Sequence, residues 1–115
     1  LAARSNVDFV GLIKDTKNMS KGYWVVAYHS VSDDAALKEY ASLALPAVAA
    51  YGGRAIIRTS DAIVPQEAGL KQRIVVIEYE SFAKAQEAYE SDAYKLALKA
   101  LGTAAVRDFR IVEGL

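Results

Sequence analysis

The sequence predicts an α+β fold of order β-α-β-β-α-β, and three observations predict it. Two stretches, GYWVVAYHS at 22–30 and RIVVIEYE at 73–80, are rich in β-branched and aromatic residues and read as strands. Each is followed by acidic or serine capping residues and then by apolar residues at helical spacing. The two halves also echo each other: strand, cap, amphipathic helix, glycine, strand. Right-handed crossovers leave in each half a gap that the other half fills. The result is a ferredoxin-like arrangement, a four-stranded antiparallel sheet with two helices on one face.

The elements follow in order. The first strand covers 22–31. Asp33 and Asp34 offer an N-cap and favourable charge to a helix carrying Leu37, Tyr40, Ala41, Ala44, Val48 and Tyr51 on one face. Pro46 lacks a donor and disfavours helical geometry at Leu45, which predicts a kink there or a fresh helical start. Gly52 and Gly53 supply the stop. A second strand spans 54–60, a hairpin connection 61–72 and a third strand 73–80. Ser81 caps the next helix, Ser91 or Asp92 re-caps a further helical piece, and Gly102 ends it before the last strand at 104–113. Residues 1–18 read as an N-terminal extension or arm, and the compact domain is expected at 19–115.

Composition narrows the function classes. Fourteen basic and fourteen acidic side chains cancel, so nothing draws the chain to nucleic acid or an anionic membrane. Cysteine is absent, which removes disulfides and thiolate chemistry and fits a cytoplasmic protein. A single histidine, His29, excludes a multi-histidine zinc site within one protomer, and neither metal nor cofactor is expected. No apolar run approaches the roughly 20 residues that span a bilayer.

Both central strands are apolar on both alternations. In the first, Trp24, Val26 and Tyr28 point one way and Tyr23, Val25 and Ala27 the other. Two helices cover one face only. Monomers rarely expose apolar patches above roughly 300–600 Å², and a standard interface covers about 800 Å² per partner. The economical cover is a second copy, sheet against sheet about a two-fold axis, which makes the expected partner a homodimer.

A set of short motifs recurs in order: GYW near the first strand, the Pro-Ala after an amphipathic run, Y-G-G-R, R-x-V-V-I-E-Y-x-S-F, S-D-A-Y and a terminal I-V-E-G. Together they resemble the family catalogued as domain of unknown function 1330, over roughly residues 20–115. The resemblance implies a dimeric α/β barrel, two ferredoxin-like protomers with facing sheets. The same architecture is shared by small antibiotic-biosynthesis monooxygenases, muconolactone isomerases and some ligand-responsive regulatory domains. No activity comes with the match.

Five residues are candidates for chemistry. Glu78 sits among apolar neighbours and is a candidate general acid or base, weighed against an ion pair with Arg54 or Arg58. His29, at a strand end, is a candidate proton shuttle, weighed against a solvated structural residue. Arg58, Arg73 and Tyr28 are candidate ligand-binding residues, the arginines suited to a carboxylate or phosphate. The tyrosines and Trp24 are expected in the core or around an apolar pocket between sheet and helices. The favoured function is binding of a small apolar or amphipathic molecule there, with Arg58 and Glu78 orienting its polar groups. The rival readings are a cofactor-independent oxygenase or isomerase and a non-enzymatic sensing or assembly module.

Overall fold

The computed structural model describes residues 20–115, so the arm expected at 1–18 lies outside the described residues. Four strands form one antiparallel sheet: β1 (Gly22–Val31), β2 (Arg54–Thr59), β3 (Ile74–Tyr79) and β4 (Ala105–Glu113). Their order is β2-β3-β1-β4, the ferredoxin-like topology that the crossover argument predicts. The two most apolar strands, β1 and β3, are therefore the two central ones, where both faces must be covered.

Three helices cross over on one face: α1 (Asp34–Ala50), α2 (Phe82–Glu90) and α3 (Asp92–Leu101). Asp33 caps α1, its carboxylate accepting from the Ala36 amide. Pro46 lies inside α1, which runs through it as one element. The proline ring stands on the exposed side of the helix, so the Ser42 carbonyl that loses its donor lies where water can serve it. At the other end, Gly52 adopts φ +76° and donates to the Ala49 carbonyl, while Gly53 donates to Val48. These bonds close a Schellman motif, which the YGG sequence foreshadows.

The second crossover is broken at Ser91, whose backbone is extended (φ −66°, ψ 150°). Its hydroxyl donates to the Ala88 carbonyl at 2.7 Å and accepts from the Tyr94 amide at 3.2 Å. One side chain thus closes α2 and opens α3, which explains why the expected helix is two pieces.

The core is an aromatic cluster on the helix face, centred on Trp24. Its ring centroid lies 4.8 Å from Tyr94, 5.1 Å from Phe109 and 5.2 Å from Tyr79. The indole N–H donates to the Ala85 carbonyl at 2.8 Å, so the buried donor is satisfied. Opposite this bulk the helices present Ala85, Ala88 and Ala97, all fully buried. Small residues on the helices against large ones on the sheet let the layers approach closely.

That approach reaches the backbone at Gly22. A Cβ there would fall on the Ser81 carbonyl and stand 2.6 Å from the Phe82 Cα, at the start of α2. Neither atom belongs to a side chain that can swing away. Gly22→Val is expected to destabilise the domain by about 1–3 kcal/mol, read as a lower urea midpoint at unchanged slope. An unchanged midpoint would contradict the close packing of α2 on β1.

Candidate functional site

Alternation along the strands sorts side chains between the two faces. On the helix face lie Trp24, Val26 and Tyr28 of β1, Val75 and Ile77 of β3, and Phe109 and Ile111 of β4. On the other face lie Tyr23, Val25 and Ala27, opposite Glu78, Val76 and Ile74. None of the three helices packs there.

The aromatic cluster fills the Trp24 end of the helix face. Toward the Tyr28 end the layers part, leaving a cavity of about 370 Å³ between the sheet and α1. Val26, Val75, Ile77 and Ala55 form its floor, and Ala44, Leu45 and Val48 of α1 its wall. Three arginines also line it: Arg58, Arg73 and Arg107. Its volume sits at the lower end of the roughly 300–1,000 Å³ usual for small-molecule sites.

The arginines arrive by different routes. Tyr28 stands opposite Arg107 in the register, and its amide donates to the Arg73 carbonyl at 2.9 Å. Arg73, Tyr28 and Arg107 therefore form one row across three strands. Both guanidinium groups approach the Tyr28 ring, at 5.7 Å for Arg73 and 5.5 Å for Arg107. Arg58 comes by way of a bulge. Simple alternation would put Arg54 and Arg58 on the same face. Instead Arg54 pairs with Glu78, Ala55 with Ile77, then Ile57 with Val76 and Arg58 with Val75. The extra residue at this irregularity turns Arg58 to the cavity side and leaves Arg54 on the other.

Among the described residues, Arg107 is the one of the three with side-chain hydrogen bonds to its neighbours. Its Nη1 donates to the Tyr40 hydroxyl at 3.1 Å and reaches the Tyr28 hydroxyl at 3.5 Å. Tyr40 and Tyr94 share a hydrogen bond of 2.6 Å between their hydroxyls. The guanidinium also lies 4.9 Å from the Tyr40 ring and 5.3 Å from Phe109, within cation–π range. Burial first, and the neighbouring Tyr40 second, push the Tyr94 phenol far above its ordinary pKa. Burial does the same to Tyr79. Both phenols stay protonated at neutral pH; Tyr94 shares its hydrogen bond with Tyr40, while the Tyr79 hydroxyl is buried with no hydrogen-bond partner among the described residues.

Of the residues singled out in the sequence, Tyr28, Arg58 and Arg73 come together in this cavity. Glu78 does not join them. It sits on the opposite face, accepting from Arg54 Nη2 at 2.9 Å and from the Tyr23 hydroxyl at 3.1 Å. The expectation that Arg58 and Glu78 orient one ligand is therefore corrected: the sheet itself stands between them. His29 is exposed and sits at the register shift between Tyr28 and Ser30, away from the cavity lining. The Asp108 carboxyl is held below its ordinary pKa mainly by the hydrogen bond from Arg110. The aromatics divide as well: Trp24, Tyr28 and Tyr40 line the cavity, while Tyr79, Tyr89 and Tyr94 belong to the core cluster.

Arg107 was not singled out from the sequence. Its signal is present: in AVRDFRIVE it alternates with Phe109 and Ile111, so it is a charge on the apolar side of a strand. Arg110, on the other alternation, pairs with Asp108 at 2.9 Å.

Comparison with known proteins agrees with this fold. A family model described as "Domain of unknown function (DUF1330)" matches residues 21–115. No curated protein matches the chain. Among solved structures, a protein of unknown function from Rhodopseudomonas palustris is similar at 15 % identity and a TM-score of 0.63, covering 96 % of this chain and 92 % of the other. A protein of the ethyl tert-butyl ether D family from Bacillus halodurans is similar at 22 % identity and a TM-score of 0.56, covering 83 % and 99 %. A candidate antibiotic biosynthesis monooxygenase from Caulobacter crescentus follows at 14 % identity and 0.52, covering 90 % and 98 %. At these identities the likeness shows a shared fold.

The Glu78 cluster makes a pH prediction. The hydrogen bonds from Arg54 and then Tyr23 lower the carboxyl pKa in the folded protein. A lowered pKa stabilises the fold above the unfolded value, about 4.3, and that contribution is lost as pH falls through the folded value. Glu78→Gln is expected to melt below the wild type at pH 7, with the gap closing below about pH 4. A gap that is the same at both pH values would contradict the ionised cluster.

Proposed function

From the premise that the chain belongs to the DUF1330 family, we propose that it is a small-molecule-binding domain whose site is the cavity between the sheet and α1. The observation that carries this reading is the cavity itself: an apolar floor and wall, with a small number of polar groups converging at one end. Binding is favoured over proton transfer by the lining. Among the described residues around the cavity there is no carboxylate and no histidine, and its polar groups are guanidinium and phenol groups. Glu78 and His29, as proton-moving groups, would serve only a ligand reaching the outer face.

The second half of the proposal is a homodimer through that outer face. Support comes from its composition. Val25, Ala27, Ile74 and Val76 lie side by side at its centre, Ile57 and Val112 are exposed beside them, and no described helix covers them. Burying roughly 500 Å² of apolar surface per copy would contribute on the order of 12 kcal/mol before association costs. The Tyr23–Glu78–Arg54 row and the Arg110–Asp108 pair are polar groups flanking that apolar centre, the pattern of an interface with a wet rim. Location in the cytoplasm, which suits a cysteine-free chain, belongs to the same reading. No described helix is long and apolar enough to cross a membrane.

Native mass spectrometry of the protein taken directly from cells tests the binding half. The expected result is a retained small molecule, released when Ala44→Trp fills the cavity from α1. Protein that carries no added mass, or a retained molecule that stays bound in Ala44→Trp, would contradict it.

A further inference from the structure

The cavity carries a charge that the chain as a whole does not. Formal net charge is zero, yet the described lining residues hold three arginines and no acid. The ion pairs among the described residues join Arg54 to Glu78, Lys84 to Glu87 and Arg110 to Asp108. None of them involves Arg58, Arg73 or Arg107. Among the described residues Arg107 is matched only by neutral phenols. The Nε of Arg73 is buried with no hydrogen-bond partner among the described residues. A buried donor of this kind is costly unless something accepts from it.

The charges are also gathered at one end. Arg73 and Arg107 share the Tyr28 row, and Arg58, opposite Val75, stands one row back on β2. Toward the Trp24 end the same cavity is lined by Val48, Ala55, Ile77 and Trp24. The site is thus amphipathic along its length, cationic at one end and apolar at the other.

We propose that the ligand is an amphipathic anion: a carboxylate or like oxyanion gripped by Arg58, Arg73 and Arg107, on a compact apolar body seated over Val26, Val75 and Ile77. This rests on the reading of the cavity as a small-molecule site and narrows it to one chemical class. Guanidinium groups suit the task, since their planar forks match an oxyanion and remain charged at every working pH. Arg73 Nε then gains the acceptor it lacks. Phenols of Tyr28 and Tyr40 stand beside the headgroup as further donors. The wall of α1 keeps the apolar body from water.

The test is isothermal titration calorimetry of the full chain with two probes of the same shape, 2-naphthoate and its neutral isostere 2-naphthamide. Naphthoate is expected to bind at least about tenfold more tightly, because a charge-assisted hydrogen bond exceeds a neutral one by that much. The preference is expected to fall several-fold in the double variant Arg58→Gln, Arg73→Gln, which leaves one of the three guanidinium groups in the cavity. That variant leaves Arg107 on Tyr40 and so keeps the core intact, as circular dichroism and Trp24 emission verify. Equal affinity for the two probes would overturn the anion inference while leaving the cavity as a binding site. A preference undiminished in the double variant would also overturn it, because Arg58 and Arg73 would then have no part in holding the anion. Failure of both probes to bind at millimolar concentration, with Trp24 emission unmoved, would remove the binding reading and this inference with it.

Discussion

A sheet whose central strands are apolar on both sides needs cover on both sides, and the described helices of this chain supply it on one. That constraint shapes the rest of the molecule. β1 and β3 take the middle of the sheet, and the loop-tethered β2 and the C-terminal β4 take its edges. The helices commit to the face with the large rings, where Trp24, Tyr79 and Phe109 pack against Tyr94 and the helix alanines. The smaller side chains of the other alternation, Val25, Ala27, Ile74 and Val76, form a flatter surface suited to meeting another flat surface.

Packing on the helix face is uneven, and the unevenness makes the site. α2 packs over β1 where Gly22 lets it close onto the sheet, and α3 packs mainly against α1. Beneath α1 the space stays open, because Ala41, Ala44 and Ala49 are too small to fill it. Polar groups then line the part the rings leave open. Arg107 bridges the two regions, its guanidinium stacked on core aromatics and bonded to Tyr40, which in turn holds Tyr94. A ligand that pulls on Arg107 is therefore mechanically linked to the aromatic core through two phenols.

Much of this was legible in the sequence because it depends on local chemistry. Strand composition, the Asp33 and Ser81 caps, the YGG stop and the duplicated order of elements each act over a few residues, and together they leave one topology. The pairing of Glu78 with Arg54 was among the weighed alternatives for the same reason. The bulge in β2 was not legible. RAIIRT reads as plain alternation, and only the register against β3 reveals the residue that sends Arg58 to the face opposite Arg54. Of the two readings of Pro46, the fresh helical start does not occur, since its exposed position lets α1 continue through it. Arg107 was hidden because charged residues in an edge strand are ordinary. Its meaning comes from Tyr40 and Tyr94, both distant in sequence and on different helices.

Sedimentation velocity at micromolar concentration tests the two-sided constraint most directly, on the wild type beside Val76→Asp. The charge is placed at the centre of the outer face and leaves the helix face untouched. The account predicts a dimer for the wild type and a single chain for the variant, with Trp24 emission the same in both. A wild-type protein that sediments as a stable single chain would contradict it.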